Sequence, residues 1–166
     1  NPSCIGCSVG EGCAARQAGT QDKFPVKPPK KASPARRGIA FVAIDGDGRA
    51  FMQIRPKRGM LGGMSAFPSA GWTEADPPFD PDKPFASAPF DADWHLAKDQ
   101  VGHVFTHFSL TMDVAVARLD AVMDGAEWQK VRISGLPTLM RKVWETARKA
   151  QAATARPPNG PDSINQ

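Results

Sequence analysis

The chain has 166 residues, 41% of them hydrophobic and 23% charged, with a formal net charge of +4, a profile of one soluble globular domain plus an appendage. No stretch approaches the ~20 apolar residues of a membrane span, and the polar, cysteine-bearing start lacks the basic lead and apolar core of a signal peptide, so a cytoplasmic protein is expected. The charge is uneven: residues 1–37 carry seven basic residues against Glu11 and Asp22, whereas residues 76–99 carry six aspartates against Lys83 and Lys98. The basic end suits a polyanion or, equally, a solvated linker.

Residues 1–19 open with NPSCIGCSVGEGC, which places Cys4, Cys7 and Cys13 in the spacing C-x2-C-x5-C. An odd number of thiols argues against a disulfide framework, and nothing around the pair reads as the strand-then-helix of a redox motif. Close thiolates on a Gly-rich loop are a pattern for metal ligation, zinc or iron–sulfur, because short spacings let one loop wrap the site; unliganded reduced thiols are the alternative. Such centres take four ligands, no other cysteine is present, and His95, His103 and His107 are some ninety residues away. A fourth ligand upstream of Asn1 is therefore expected, in a longer protein of which this chain is the C-terminal part.

Residues 20–37, TQDKFPVKPPKKASPARR, have no hydrophobic period and are rich in proline and lysine, as in a semi-extended linker. A domain is expected over 38–152. GIAFVAID (38–45) and AFMQIR (50–55) flank Asp45-Gly46-Asp47-Gly48 and predict a hairpin; that loop is too short for a calcium site and lacks its closing glutamate. The glycines of Gly59–Trp72 predict a bent loop leading into a short strand at Ala66–Ser69. Residues 74–94, rich in Asp, Pro and Phe, read as an irregular excursion. Val101–Leu119 reads as one strand, with Phe108, Leu110, Met112, Val114 and Val116 alternating with smaller or polar residues, and Glu127–Ile133 as another. Pro137–Gln151 predicts a helix with Leu139, Met140, Val143, Trp144 and Ala147 on one face. Residues 153–166 are a polar tail, expected to be disordered. The sum is an α+β fold, in which Trp72, Trp94, Trp128 and Trp144 are expected as packing residues and His103 as structural.

Four segments in order resemble the C-terminal region of MutY-type adenine DNA glycosylases, from Pro2 to about Ala150. NPSCIGCSVGEGCAA resembles the end of that family's iron–sulfur loop, C-x6-C-x2-C-x5-C, and KFPVKPPKK (23–31) its interdomain connector. RPKRGMLGGMSAFPS (55–69) resembles R-P-x-x-G-L-x-G-G-L/M-x-x-F-P, and HVFTHFSL (103–110) resembles H-x-F-[ST]-H-F. The resemblance implies a Nudix-like mixed β-sheet with flanking helices, preceded by the linker and the Cys-rich loop. It implies a 4Fe-4S cluster held in part by Cys4, Cys7 and Cys13, and DNA-backbone contacts from Arg16, Lys23, Lys27, Lys30 and Lys31. It further implies a monomer whose Phe105, Thr106 and His107 recognise 8-oxoguanine opposite adenine in double-stranded DNA, in the course of base-excision repair. The family's loop is often Phe-Ser-His; Thr106 keeps the hydroxyl and adds a methyl. The family's catalytic helix-hairpin-helix domain has no counterpart in this chain, so the full-length protein is expected to be a glycosylase and this chain alone inactive. A stand-alone module binding nucleic acid or protein remains the alternative.

An 8-oxoguanine differs from guanine by an O8 acceptor and an N7–H donor. The Thr106 hydroxyl and the His107 imidazole can each donate or accept there, and Phe105 is as readily core as contact. The strand alternation, carried back from Phe108, turns Thr106 toward the core, so the contact requires a bend at Phe105–His107, which no glycine after Gly102 marks. Magnesium-dependent Nudix hydrolysis is not expected: among Glu11, Glu74, Glu127 and Glu145 no two lie within one helical turn, and nothing resembles R-E-x-x-E-E.

Overall fold

The computed structural model describes residues 2–26 and 33–154, in two units divided between Ala32 and Ser33. Of the predicted segments, residues 27–32 of the linker and the tail from 155 onward lie outside the described residues.

In the first unit, the cysteine loop leads into a single turn of helix, α1 (Ala14–Gln17), and then a 3-10 turn at Gln21–Lys23. The loop curls on itself about Gly10, where an added Cβ would stand 3.1 Å from the Cys7 carbonyl oxygen and 3.2 Å from that of Cys4. Arg16 Nη1 reaches back to donate to the Cys4 carbonyl at 3.3 Å.

The second unit is built on two long parallel strands. β1 (Ala35–Ile44) carries the β-branched and aromatic run, and its last seven residues are buried, as expected of a strand covered on both faces. It pairs in parallel with β8 (Ser109–Arg118) over ten rungs, from Ala35 opposite Ser109 to Ile44 opposite Arg118. Between them in sequence come β2 (Ala50–Phe51), β3 (Gln53–Ile54), β4 (Ser65–Ala66), β5 (Ser69–Ala70), β6 (His95–Leu96) and β7 (Val101–Val104); β9 (Trp128–Gln129) follows. The main sheet runs β6-β8-β1-β2-β9, with β5 also on β1 and β7 also on β8, while β3 and β4 form a small second sheet.

The alternating residues of β8 fill one face. Phe108, Leu110, Met112, Val114 and Val116 are buried there together with Leu139, Met140, Val143, Trp144 and Ala147, which come from α2 (Thr138–Thr154). Each large side chain so buried contributes about 1.5–3 kcal/mol. The opposite face holds Ile39, Phe41, Ala43, Ala115 and Ala117, and it is covered by Phe79, Phe90 and Trp94 of the irregular 74–94 excursion. Those aromatics do there what a second helix does in a three-layer fold: they keep water off the sheet. All four tryptophans are buried.

Four boundaries differ from expectation. β1 begins at Ala35, inside the predicted linker, because the ladder with β8 continues through Arg36 and Arg37. The strand after the Asp-Gly turn breaks at Met52, whose N–H turns to the Glu127 carbonyl (2.8 Å). The predicted strand at 66–69 is split by Pro68, which has no N–H for a ladder. The strand at 127–133 is two residues long because its partner β2 is equally short. The hairpin itself forms, with Ile44 opposite Ala50.

Asp45 closes that hairpin. Its buried carboxylate accepts from the N–H groups of Asp47 (3.1 Å), Arg49 (2.8 Å) and Met123 (3.3 Å), and pairs with the Arg49 guanidinium at 2.8 Å. Burial pushes this carboxyl up, but the backbone hydrogen bonds from Arg49 and Met123 and the guanidinium outweigh it, so its pKa lies below the ordinary value. A carboxyl held low contributes stability above about pH 4 that is lost as the pH falls through its folded value. Asp45→Asn is expected to cost about 2–4 kcal/mol at neutral pH and to flatten the acid limb of stability. Urea titrations at neutral pH and near pH 3.5 check this; a variant as stable as the parent at neutral pH contradicts the role.

Candidate nucleic-acid interface

The predicted single strand over 101–119 is instead a hairpin. β7 runs antiparallel to β8, with Val104 opposite Ser109, and the Phe105 N–H donates to the Phe108 carbonyl at 2.8 Å. Thr106 and His107 therefore make the reversal. Both are exposed, and neither side chain has a hydrogen-bond partner among the described residues. Leu61 is the one described non-glycine residue with positive φ. The turn at 106–107 thus needs no left-handed residue, which is why no glycine marks it.

Phe105 does not join them in solvent. It is half-buried and sits in a column of flat groups. The Arg36 guanidinium lies over Phe108 at 4.3 Å, Phe108 meets Phe105 at 4.7 Å, Phe105 stacks on Trp72 at 5.9 Å, and the Arg55 guanidinium lies over Trp72 at 4.6 Å. His103 meets the edge of Phe105 at 4.5 Å. The hairpin tip is thereby anchored one residue before its two free polar side chains.

The foundation of that column is a buried ion pair. Arg55 Nη1 stands 3.2 Å from Asp76 Oδ1, with both side chains almost wholly buried. Arg55 also donates to the Met60 carbonyl (3.0 Å) and to the Thr73 hydroxyl (3.2 Å), and Asp76 accepts from Thr73 N (3.0 Å) and Thr73 Oγ1 (2.6 Å). The Arg36 Nη1 donates to the Trp72 carbonyl at 2.9 Å, so both arginines fix Trp72. The 55–64 loop wraps this pair tightly. A Cβ on Gly62 would stand 2.5 Å from the Lys57 carbonyl oxygen, which leaves room only for glycine. Beside the loop, Arg36, Arg55, Arg58, Thr73 and Glu74 line a cleft of about 370 Å³.

His103 is held neutral. Burial of its ring and the nearby Lys142 ammonium both push its pKa down, and Lys142 Nζ is itself tied to the Gly102 carbonyl at 2.8 Å. A histidine with a lowered folded pKa resists protonation, so the hairpin keeps its full stability above about pH 6.5 and weakens as pH falls toward the lowered value. An NMR titration of the His103 ring is expected to give a midpoint below that of a free histidine; a midpoint at or above it removes the effect.

In the first unit, Cys4 and Cys13 are half-buried and Cys7 exposed, all as free thiols. The donor chemistry suits a soft metal centre. The geometry is not that of a finished nest, since among the described residues no three His, Cys, Asp or Glu side chains stand together to hold a metal ion. Arg16 and Lys23 are exposed; Lys27, Lys30 and Lys31 lie outside the described residues. The four glutamates do not meet on a helix: Glu145 lies on α2, Glu74 at the cleft, Glu127 just before β9 and Glu11 in the cysteine loop. No helix among the described residues is long and apolar enough to cross a membrane.

Sequence reasoning named Phe105, Thr106 and His107 but not what supports them. In the sequence Arg36 reads as linker charge, Arg55 as part of a longer segment, and Asp76 as one aspartate of an acidic run. A Pro-rich stretch gives no period from which the Arg55–Asp76 pairing could be inferred.

A family model described as NUDIX domain matches residues 39–146. Among solved structures, the complex between the C-terminal domain of mouse MUTYH and human PCNA gives a TM-score of 0.51 at 17% identity, covering 79% of this chain and 98% of that one. The MutT protein from Methanosarcina mazei Go1 gives 0.49 at 10% identity, covering 76% and 100%. The NUDIX domain of Shewanella oneidensis NrtR, complexed with ADP ribose, gives 0.46 at 12% identity, covering 77% and 96%. The mixed sheet with its flanking helix is thus a Nudix-like α+β fold, and with the family model spanning well over half of its length, the chain belongs to the NUDIX domain family.

Proposed function

We propose that the chain serves DNA base-excision repair as the damage-recognition part of an adenine DNA glycosylase, reading 8-oxoguanine opposite adenine with Thr106 and His107. The observation that carries this is the hairpin tip, where a hydroxyl and an imidazole stand exposed and unpaired on a turn anchored by Phe105. Groups left free of internal partners can meet the N7/O8 edge of an oxidised purine without breaking a bond within the protein. The likeness to the C-terminal domain of mouse MUTYH supports the reading at the level of fold.

In this reading the chain performs no glycosidic chemistry. Phe105 holds the turn, Thr106 and His107 feel for the base, and the exposed Arg16 and Lys23, with Lys27, Lys30 and Lys31, contact phosphates. Each such contact adds affinity and steepens its fall with salt by roughly 0.9 log unit per log unit of salt. The decisive experiment is fluorescence anisotropy of the chain with matched duplexes containing 8-oxoguanine:A or G:A. Tighter binding of the oxidised duplex is expected, and equal affinity rejects the proposal.

A 4Fe-4S cluster belongs to the same reading, with Cys4, Cys7 and Cys13 as three ligands and a fourth thiolate supplied from outside these 166 residues. Anaerobic reconstitution with iron and sulfide is expected to load about four irons per chain only when the chain is extended by a segment carrying that cysteine. Full loading of the chain as it stands, or loading indifferent to Cys4→Ser, rejects this ligand set.

A further inference from the structure

At the other end of β8 from the hairpin lies an apolar groove of about 650 Å³. Its lining includes Phe51, Phe90, Met123 and Trp128. Three of these rings form a cluster: Phe51 meets Phe90 at 5.2 Å, edge to face, and Trp128 at 5.3 Å, and Phe90 meets Trp128 at 6.0 Å. Asp91, Asp93, Asp120 and Arg118 stand on the rim, all exposed, and none of their side chains has a hydrogen bond or ion pair among the described residues. The groove also gives a use to part of the acidic excursion, which delivers Phe90 to the sheet as well as Asp91 and Asp93 to the rim.

We propose that this groove docks a short cationic segment of a partner protein, an arginine lying on the aromatic floor with its guanidinium among the three carboxylates. The floor suits a flat, weakly hydrated cation, which gains from a ring face and from an apolar stem laid beside it. The rim selects the sign of charge: three carboxylates against one guanidinium repel a phosphodiester and attract arginine. Generic attraction of cations does not explain such binding, because the chain as a whole is positive at +4. The ten residues of β8 span roughly 30 Å between groove and hairpin. A duplex at the hairpin and a protein segment in the groove therefore occupy separate ends of the domain.

The test uses the whole chain and two fluorescein-labelled hexapeptides, Gly-Arg-Leu-Arg-Trp-Gly and its counterpart with glutamate for arginine, read by anisotropy. The arginine peptide is expected to bind at least tenfold more tightly than the acidic one. That preference should fall at least tenfold in the Asp91→Asn/Asp93→Asn/Asp120→Asn variant, whose exposed changes leave the melting temperature in place, and weaken steeply toward about 0.5 M salt. A saturating G:A duplex should leave peptide binding unchanged. No binding of the arginine peptide up to about 1 mM, or equal binding by parent and triple variant, overturns the proposal. So does displacement of the peptide by the duplex, or a concentration-dependent dimer that the triple variant abolishes, which would make a second copy the occupant. Phe90→Ala provides the apolar arm: if it folds, it should lose the arginine preference with its rim intact, and retention of that preference contradicts the role of the floor.

Discussion

Arg55→Met is expected to destabilise the second unit by about 3–5 kcal/mol, because it leaves the Asp76 carboxylate buried without its cation. The pair is nearly dry, at 3% and 7% side-chain exposure, so water cannot take the place of the guanidinium. Asp76 would keep its two bonds from Thr73, which solvate the charge only in part. The same change removes the cation over Trp72 and the donor to the Met60 carbonyl, loosening both the 55–64 loop and the base of the aromatic column. In a domain of this size the loss corresponds to a fall in melting temperature on the order of 10–25 °C. Asp76→Leu in the Arg55→Met background should recover much of it, since an apolar pair of similar volume avoids the stranded charge. A single variant within about 1 kcal/mol of the parent, read by urea unfolding, would show that the pair is not what holds the loop.

The two central strands were legible because their patterns are strong. β1 is a run of β-branched and aromatic residues, and β8 alternates cleanly enough that Leu110, Met112, Val114 and Val116 are all buried where the period puts them, as is Phe108 just before the strand. The helix was legible from Leu139, Met140, Val143, Trp144 and Ala147 for the same reason. Less visible were elements whose cause lies elsewhere in the chain. The cover of the second face is irregular and Pro-rich, and only the finished sheet shows why Phe79, Phe90 and Trp94 are there. The hairpin at 105–108 hid within an apparently continuous strand, because β7 and β8 are both extended and their turn carries no glycine or proline. Local composition states what a residue prefers; the partners of Arg36, Arg55 and Asp76 lie far along the chain, as Trp72 and Phe108 do from Arg36, and depend on the fold.

Thr106→Ala/His107→Ala is expected to reduce the preference for 8-oxoguanine:A over G:A at least tenfold, by removing two base contacts worth about 1–3 kcal/mol each. Stability should hardly change, since both side chains are exposed and unpartnered and surface substitutions of that kind stay within about 0.5 kcal/mol. The salt dependence of binding should also be unchanged, because the tip reads a base edge and the slope counts phosphates. Thr106→Val separates shape from chemistry. It keeps the volume and removes only the hydroxyl, so it should behave like alanine for base preference, whereas Thr106→Ser should behave like the parent. Phe105→Ala, by contrast, removes a ring that touches His103, Phe108 and Trp72, and should lower stability and preference together. In a longer protein that carries the catalytic domain, adenine excision itself should persist in the Thr106/His107 double variant while its bias toward the oxidised partner erodes. If the double variant distinguishes the two duplexes as well as the parent does, the hairpin tip is not the reader.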